Sequence, residues 1–161
     1  MSSGHIFVAE HDGTYVIKLV GDVRLTLCIS FDQFIATMFG EDNFNTVVFD
    51  LREAEGIDST TLGLMAKISI GARELGHGNP VVVTSSPSIQ RLLVSMGFED
   101  IFELVSDAKL PFSGTQPLVE NLEDESAVKA RVLEAHQILM ELNQPNKVKF
   151  HELVETLQGK H

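Results

Sequence analysis

An apolar, β-branched run, Val47-Val48-Phe49-Asp50-Leu51, is followed within a few residues by Gly56-Ile57-Asp58-Ser59-Thr60-Thr61-Leu62-Gly63. The run reads as a buried strand. Asp58 and Ser59 then open a helix whose apolar or small residues recur at Leu62, Met65, Ala66, Ser69 and Ala72. A strand feeding a helix of this length commits the chain to an α/β layer. It also sets two hydroxyls, Ser59 and Thr60, at a helix N-terminus beside a strand end, where solvent can reach them. A phosphate there would face free backbone N–H groups and the positive end of the helix dipole. The chemistry suggested is modification of the protein itself rather than turnover of a substrate.

The neighbouring segments repeat the alternation. Ile6 to Glu10 and Thr14 to Val20 read as strands joined by His11-Asp12-Gly13, a strong hairpin signal because glycine supplies positive φ. Ser30 reads as the N-cap of a helix through about Phe39, closed by Gly40. Thr46 to Leu51 is the central strand, and the helix after Asp58 runs to about Leu75. Pro80 to Thr84 is another buried strand. Ser86-Pro87 starts a helix, serine as cap and proline in the first turn, that ends at Gly97. Residues 107–117, with Pro111, Ser113, Gly114 and Pro117, read as a linker. Beyond it, Val128, Val132, Leu133, Ala135, His136, Leu139, Met140 and Leu142 form one apolar stripe, and Val148, Leu153, Val154 and Leu157 a shorter one. Two such helices are marginal alone. They pack on the main domain, on each other in a dimer, or on a partner. The expected organisation is a domain over 1–106, a linker over 107–117 and a helical extension over 118–161.

A chain of 161 residues holds one good core with some left over. Its formal net charge of −11 argues against nonspecific nucleic-acid binding and against anionic membranes, and suits basic partner patches. The single cysteine, Cys28, excludes an internal disulfide and fits a reducing compartment. No signal-peptide pattern and no membrane-length apolar run is visible, so the cytoplasm is the expected location.

The chain resembles the STAS-domain family of bacterial anti-sigma factor antagonists. That family carries Asp-Ser-Ser-Gly-Leu-Gly at the start of a helix after an apolar strand, and Asp58-Ser59-Thr60-Thr61-Leu62-Gly63 stands here. Val20-Gly21-Asp22-Val23 matches its glycine-acid turn. Val81-Val82-Val83-Thr84 matches its fourth strand, and Leu92 to Phe98 with Ile101-Phe102 its last helix and closing strand. The match spans roughly residues 5 to 106. The resemblance implies a mixed β-sheet of four to five strands packed by helices, no enzymatic activity and no cofactor. It implies phosphorylation of Ser59, with Asp58, Ser59, Thr60, Thr61 and Leu62 on the partner-binding surface. Implied partners are an anti-sigma factor or GHKL-type serine kinase and a PPM-type serine phosphatase that resets the switch. Thr61 departs from the family's glycine and puts a Cβ and a hydroxyl on the docking surface. The extension is expected to set partner choice or self-association through Val132, Leu133, Leu139 and Met140, and a chain ending near Ser106 to fold alone.

Other readings of the same residues stay open. Ser59 alone could be a plain N-cap in a structural STAS module. Asp58 could cap, orient the Ser59 hydroxyl, or meet a kinase-bound metal. Thr60 and Thr61 read as capping or surface hydroxyls. A small α/β hydrolase built on Ser59 is a further alternative, but no Gly-x-Ser-x-Gly elbow surrounds Ser59 and no histidine is obviously placed as its base. Six histidines, His5, His11, His77, His136, His151 and His161, show no metal-ligand spacing. Asp50, Glu53, Glu55 and Asp58 form an acidic group that reads as solvated loop carboxylates.

Overall fold

Asp12 and Gly13 turn the chain with φ of 49° and 84°. Positive φ at both central residues is the type I′ geometry that matches strand twist, and it pairs β1 (His5–His11) with β2 (Thr14–Val23) from His11↔Thr14 outward. The structure, a computed structural model, describes residues 3–107, 114–121 and 125–159. Pro111 and Ser113 of the expected linker, and His161, lie outside these residues.

From β2 the chain makes three parallel crossovers. A 3₁₀ turn (Leu25–Leu27) and α1 (Cys28–Phe39) lead to β3 (Thr46–Ile57); α2 (Ser59–Glu74) leads to β4 (Val81–Val83); α3 (Pro87–Ser95) leads to β5 (Glu103–Val105). A last short strand, β6 (Gln116–Pro117), pairs antiparallel with β1. The sheet order is β5-β4-β3-β2-β1-β6, a mixed sheet. Among the described residues six strands stand where four or five were expected, because part of the presumed linker adds to the edge. Consecutive residues Phe49, Asp50 and Leu51 are all buried, Asp50 beneath the Arg52 side chain.

Three local expectations need correction. β3 does not end at Leu51: it continues to Ile57, paired with Val20 to Val23 through two register shifts. Gly21-Asp22 therefore belongs to an irregular strand rather than a turn. Helix α1 starts before Ser30, because the 3₁₀ turn already winds the chain. The Ser30 hydroxyl instead donates to the carbonyl of Val119, tying the chain after β6 to α1.

Asp50 is buried, and its carboxylate accepts two bonds from the Arg52 guanidinium at 2.9 and 3.1 Å and one from the Arg52 backbone N–H. Burial alone pushes this carboxyl up; the Arg52 hydrogen bonds and charge outweigh it and hold it below the usual value. A depressed folded value means the stabilisation is complete above the unfolded aspartate range, about 3.9, and is lost as pH falls through the folded value. Arg52→Met should therefore flatten the acid limb of melting temperature against pH. An unchanged acid limb would contradict this.

Residues 125–157 form a helical hairpin, α4 (Glu125–Leu142) and α5 (Gln144–Leu157). Asn143 caps α5 by accepting from Asn146 N–H at 2.8 Å, and Pro145 sits in the first turn. Of the alternatives for these helices, the structure shows packing on the main domain. α4 lies against α2 and α1, and Leu139 and Phe150 are buried in the same core as the sheet.

Candidate functional site

Asp58 stands at the junction of β3 and α2 in an extended conformation, as a helix cap requires. One carboxylate oxygen accepts from Thr61 N–H at 2.9 Å, and the other from Leu25 N–H at 2.7 Å. Its own N–H donates to the Val23 carbonyl. Asp58 thus caps α2 and ties the end of β2 to it. Of its three expected roles, capping is the one its contacts express.

Ser59 is the first residue of α2 and is half-buried. Its hydroxyl has a partner: it lies 2.7 Å from His136 Nε2 on α4. The other ring nitrogen, Nδ1, is 2.6 Å from the Val132 carbonyl. A carbonyl only accepts, so Nδ1 carries the hydrogen, and in the neutral imidazole Nε2 accepts from the Ser59 hydroxyl. Phe150 of α5 packs edge-on to the imidazole, with ring centroids 5.1 Å apart. His136 is 2% exposed, held between the serine and a phenylalanine. The sequence marks no histidine as obviously placed to serve Ser59 as a base, and the structure sets His136 beside it. The signal was a histidine inside an apolar stripe, since a buried imidazole needs polar partners.

The rest of the signature is covered as well. Thr60, Thr61 and Leu62 are 3%, 2% and 1% exposed. They are not surface hydroxyls or an exposed docking patch in this form. Thr61 brings no side chain to the surface, so its departure from the family pattern is absorbed inside the fold. Gly63 explains the close cover. A Cβ there would stand 2.3 Å from the Ala135 carbonyl oxygen and 2.6 Å from the Ala135 Cβ. Only glycine lets the two helices meet at this distance.

Charges flank the contact. Lys67 Nζ of α2 reaches Asp32 of α1 at 2.8 Å and Glu134 of α4 at 2.9 Å, and Arg131 of α4 reaches the same Asp32 at 3.3 Å. Burial alone pulls the Lys67 ammonium down; its hydrogen bonds to Asp32 and Glu134 outweigh this and raise it above the usual lysine value. At the far end of α4, Asn146 is fully buried and donates to the carbonyls of Met96 and Leu139 at 3.0 and 2.9 Å. Asn143 donates to the same Met96 carbonyl. The hairpin is therefore fastened to α2 at His136 and to the end of α3 at Asn146.

The acidic residues do not form one group. Asp50 pairs with Arg52, Glu53 with Lys18, and Asp58 caps α2. Among the described residues no cluster of three or more His, Cys, Asp or Glu could hold a metal ion. No described helix is long and apolar enough to cross a membrane. Of the four expected tail anchors, Leu139 is buried in this chain's own core and is not presented outward, while Val132, Leu133 and Met140 are half-buried.

A domain with this strand–Asp-Ser–helix junction and this mixed sheet has the STAS architecture. The STAS domain family model matches residues 5–110, and the chain belongs to that family. Solved structures share the fold, two anti-sigma factor antagonists among them. One is the anti-sigma factor antagonist SpoIIAA in its unphosphorylated form, at TM-score 0.56 and 16% identity, covering 63% of this chain and 89% of that one. The other is an anti-sigma factor antagonist from Mycobacterium paratuberculosis, at TM-score 0.52 and 23% identity, covering 65% of this chain and 87% of that one. No curated protein matches the chain.

Proposed function

We propose that this protein is an anti-sigma factor antagonist switched by phosphorylation of Ser59. The unphosphorylated form binds an anti-sigma factor or GHKL-type serine kinase, and a PPM-type phosphatase resets it. The observation that carries the reading is the Asp58-capped helix start that places the Ser59 hydroxyl at the N-terminus of α2 in a STAS fold. The kinase would transfer the γ-phosphoryl of ATP to Ser59 Oγ, breaking the γ-phosphorus bond to the bridging oxygen and releasing the hydroxyl proton to a base. The added charge, about −1.5 to −2, is favoured by the helix dipole by about 0.3–1 kcal/mol. Inside an interface the same charge must be desolvated against like charges, which costs several kcal/mol. The modification therefore ends docking without unfolding the domain.

Incubation with the cognate kinase, digestion and site mapping should put the phosphate on Ser59. Stoichiometric label on Thr60, Thr61 or the tail, with Ser59 bare, rejects the assignment. The Ser59–His136 contact lends a specific observation to a second reading, a hydrolase in which His136 acts as base with the Val132 carbonyl as its orienter. Covalent labelling of Ser59 by a fluorophosphonate probe would favour that reading instead.

A further inference from the structure

We infer that the α1/α2 face beneath α4 is a helix-docking surface whose resident occupant is α4 itself, so that the regulator reaches it by displacing the hairpin. The inference deepens the switch reading and rests on it for the identity of the displacing partner. Three observations converge. The α2 face that carries Ser59, the residue the family resemblance marks, is occupied by α4, which touches it at Ser59, Gly63 and Lys67. The cover joins an apolar centre, with Ala135 and Leu139 fully buried, to polar contacts, with His136 on the Ser59 hydroxyl and the Asp32–Lys67–Glu134–Arg131 ion pairs along its edge. The polar contacts can be remade with water or with another protein, whereas the apolar ones require a partner that covers the same surface. Lastly, Gly63 leaves a notch that only a small residue on a closely approaching helix can fill, and Ala135 fills it.

The contacts of α4 also state what the displacing partner must offer. It is an amphipathic helix with a small residue opposite Gly63, an acid reaching Lys67 and a base reaching Asp32. A regulator built this way would satisfy the face as α4 does.

The test uses the full chain and, as probe, a synthetic peptide of residues 125–158 labelled for fluorescence anisotropy. Ala135→Glu places a charge in the notch and should release the hairpin. Hydrogen exchange at α2 amides 62–66 should rise at least tenfold, with β3 unchanged. The peptide should bind Ala135→Glu at least tenfold more tightly than wild type. Adding Lys67→Glu to that chain should weaken the peptide at least fivefold, and Glu134→Lys in the peptide should restore it. Should Ala135→Glu lose its fold, the paired change Arg131→Glu with Glu134→Lys, at half-buried tail positions, carries the same comparison. Equal peptide affinity for wild type and released chain, or no response to the charge exchange, overturns the inference. None of these readouts involves a kinase, so a failure of the Ser59 switch registers separately, as equal regulator binding by Ser59→Ala and Ser59→Asp.

Discussion

Truncating Leu139 to alanine should cost about 2–5 kcal/mol, and the loss should fall on the α4–α5 hairpin before it reaches the sheet. Leu139 is fully buried on α4, and its own backbone carbonyl receives Asn146. Removing its side chain leaves a cavity between the hairpin and the domain. The sheet keeps its own packing, including the edge-on contact of Phe49 with Phe102 at 5.7 Å between centroids. Phe49→Ala, by contrast, should cost about 3–5 kcal/mol and lower protection throughout. Native-state hydrogen exchange separates the two. In Leu139→Ala, the amides of α4 and α5 should lose protection while those of β3 hold theirs. Uniform loss in both variants would mean that hairpin and sheet open only together.

The second large effect concerns Ser59. Ser59→Ala should bind the regulator constitutively, and Ser59→Asp at least tenfold more weakly, a difference of about 1.4 kcal/mol. Affinity measured for both variants against the isolated regulator decides it, and equal affinities reject the switch. A serine on an open helix start would be replaced with little change in stability. Here the His136 Nε2 is buried against it, so Ser59→Ala leaves an acceptor unpaired at a cost of about 1–3 kcal/mol. The alanine variant should therefore melt below wild type although it removes only one oxygen. His136→Leu in the same background should recover part of the loss, since an apolar pair needs no hydrogen bond.

What the sequence made legible was local chemistry. Asp12-Gly13 encodes its turn, Ser86-Pro87 its helix start, and Asp58 its cap, each within a few residues of where its effect is felt. The length of β3 was not legible, because Arg52, Glu53 and Glu55 are exposed and polar, and a backbone ladder leaves no mark in hydropathy. Ser30 has the chemistry of a cap, yet the 3₁₀ turn before it had already started α1. The contact between Ser59 and His136 spans 77 positions, and no local pattern encodes a pairing at that range. The burial of α2 on nearly every side follows from the same long-range packing. Its sequence shows one apolar face, while the face with Gly63 is covered by α4, with Lys67 half-buried at its edge.

The pairing of β6 with β1 bears on competition. Pro117 pairs with Phe7, Leu118 N–H donates to the Ile6 carbonyl, and Ser30 holds Val119, so the chain is anchored to the domain within a few residues of the start of α4 at Glu125. A short tether gives the hairpin an effective concentration on the order of millimolar at its own face. A partner present at about a thousandth of that level must bind the uncovered face roughly a thousandfold more tightly than the hairpin does, an advantage of roughly 4 kcal/mol. The strand that closes the edge of the sheet therefore also sets how strong a rival must be.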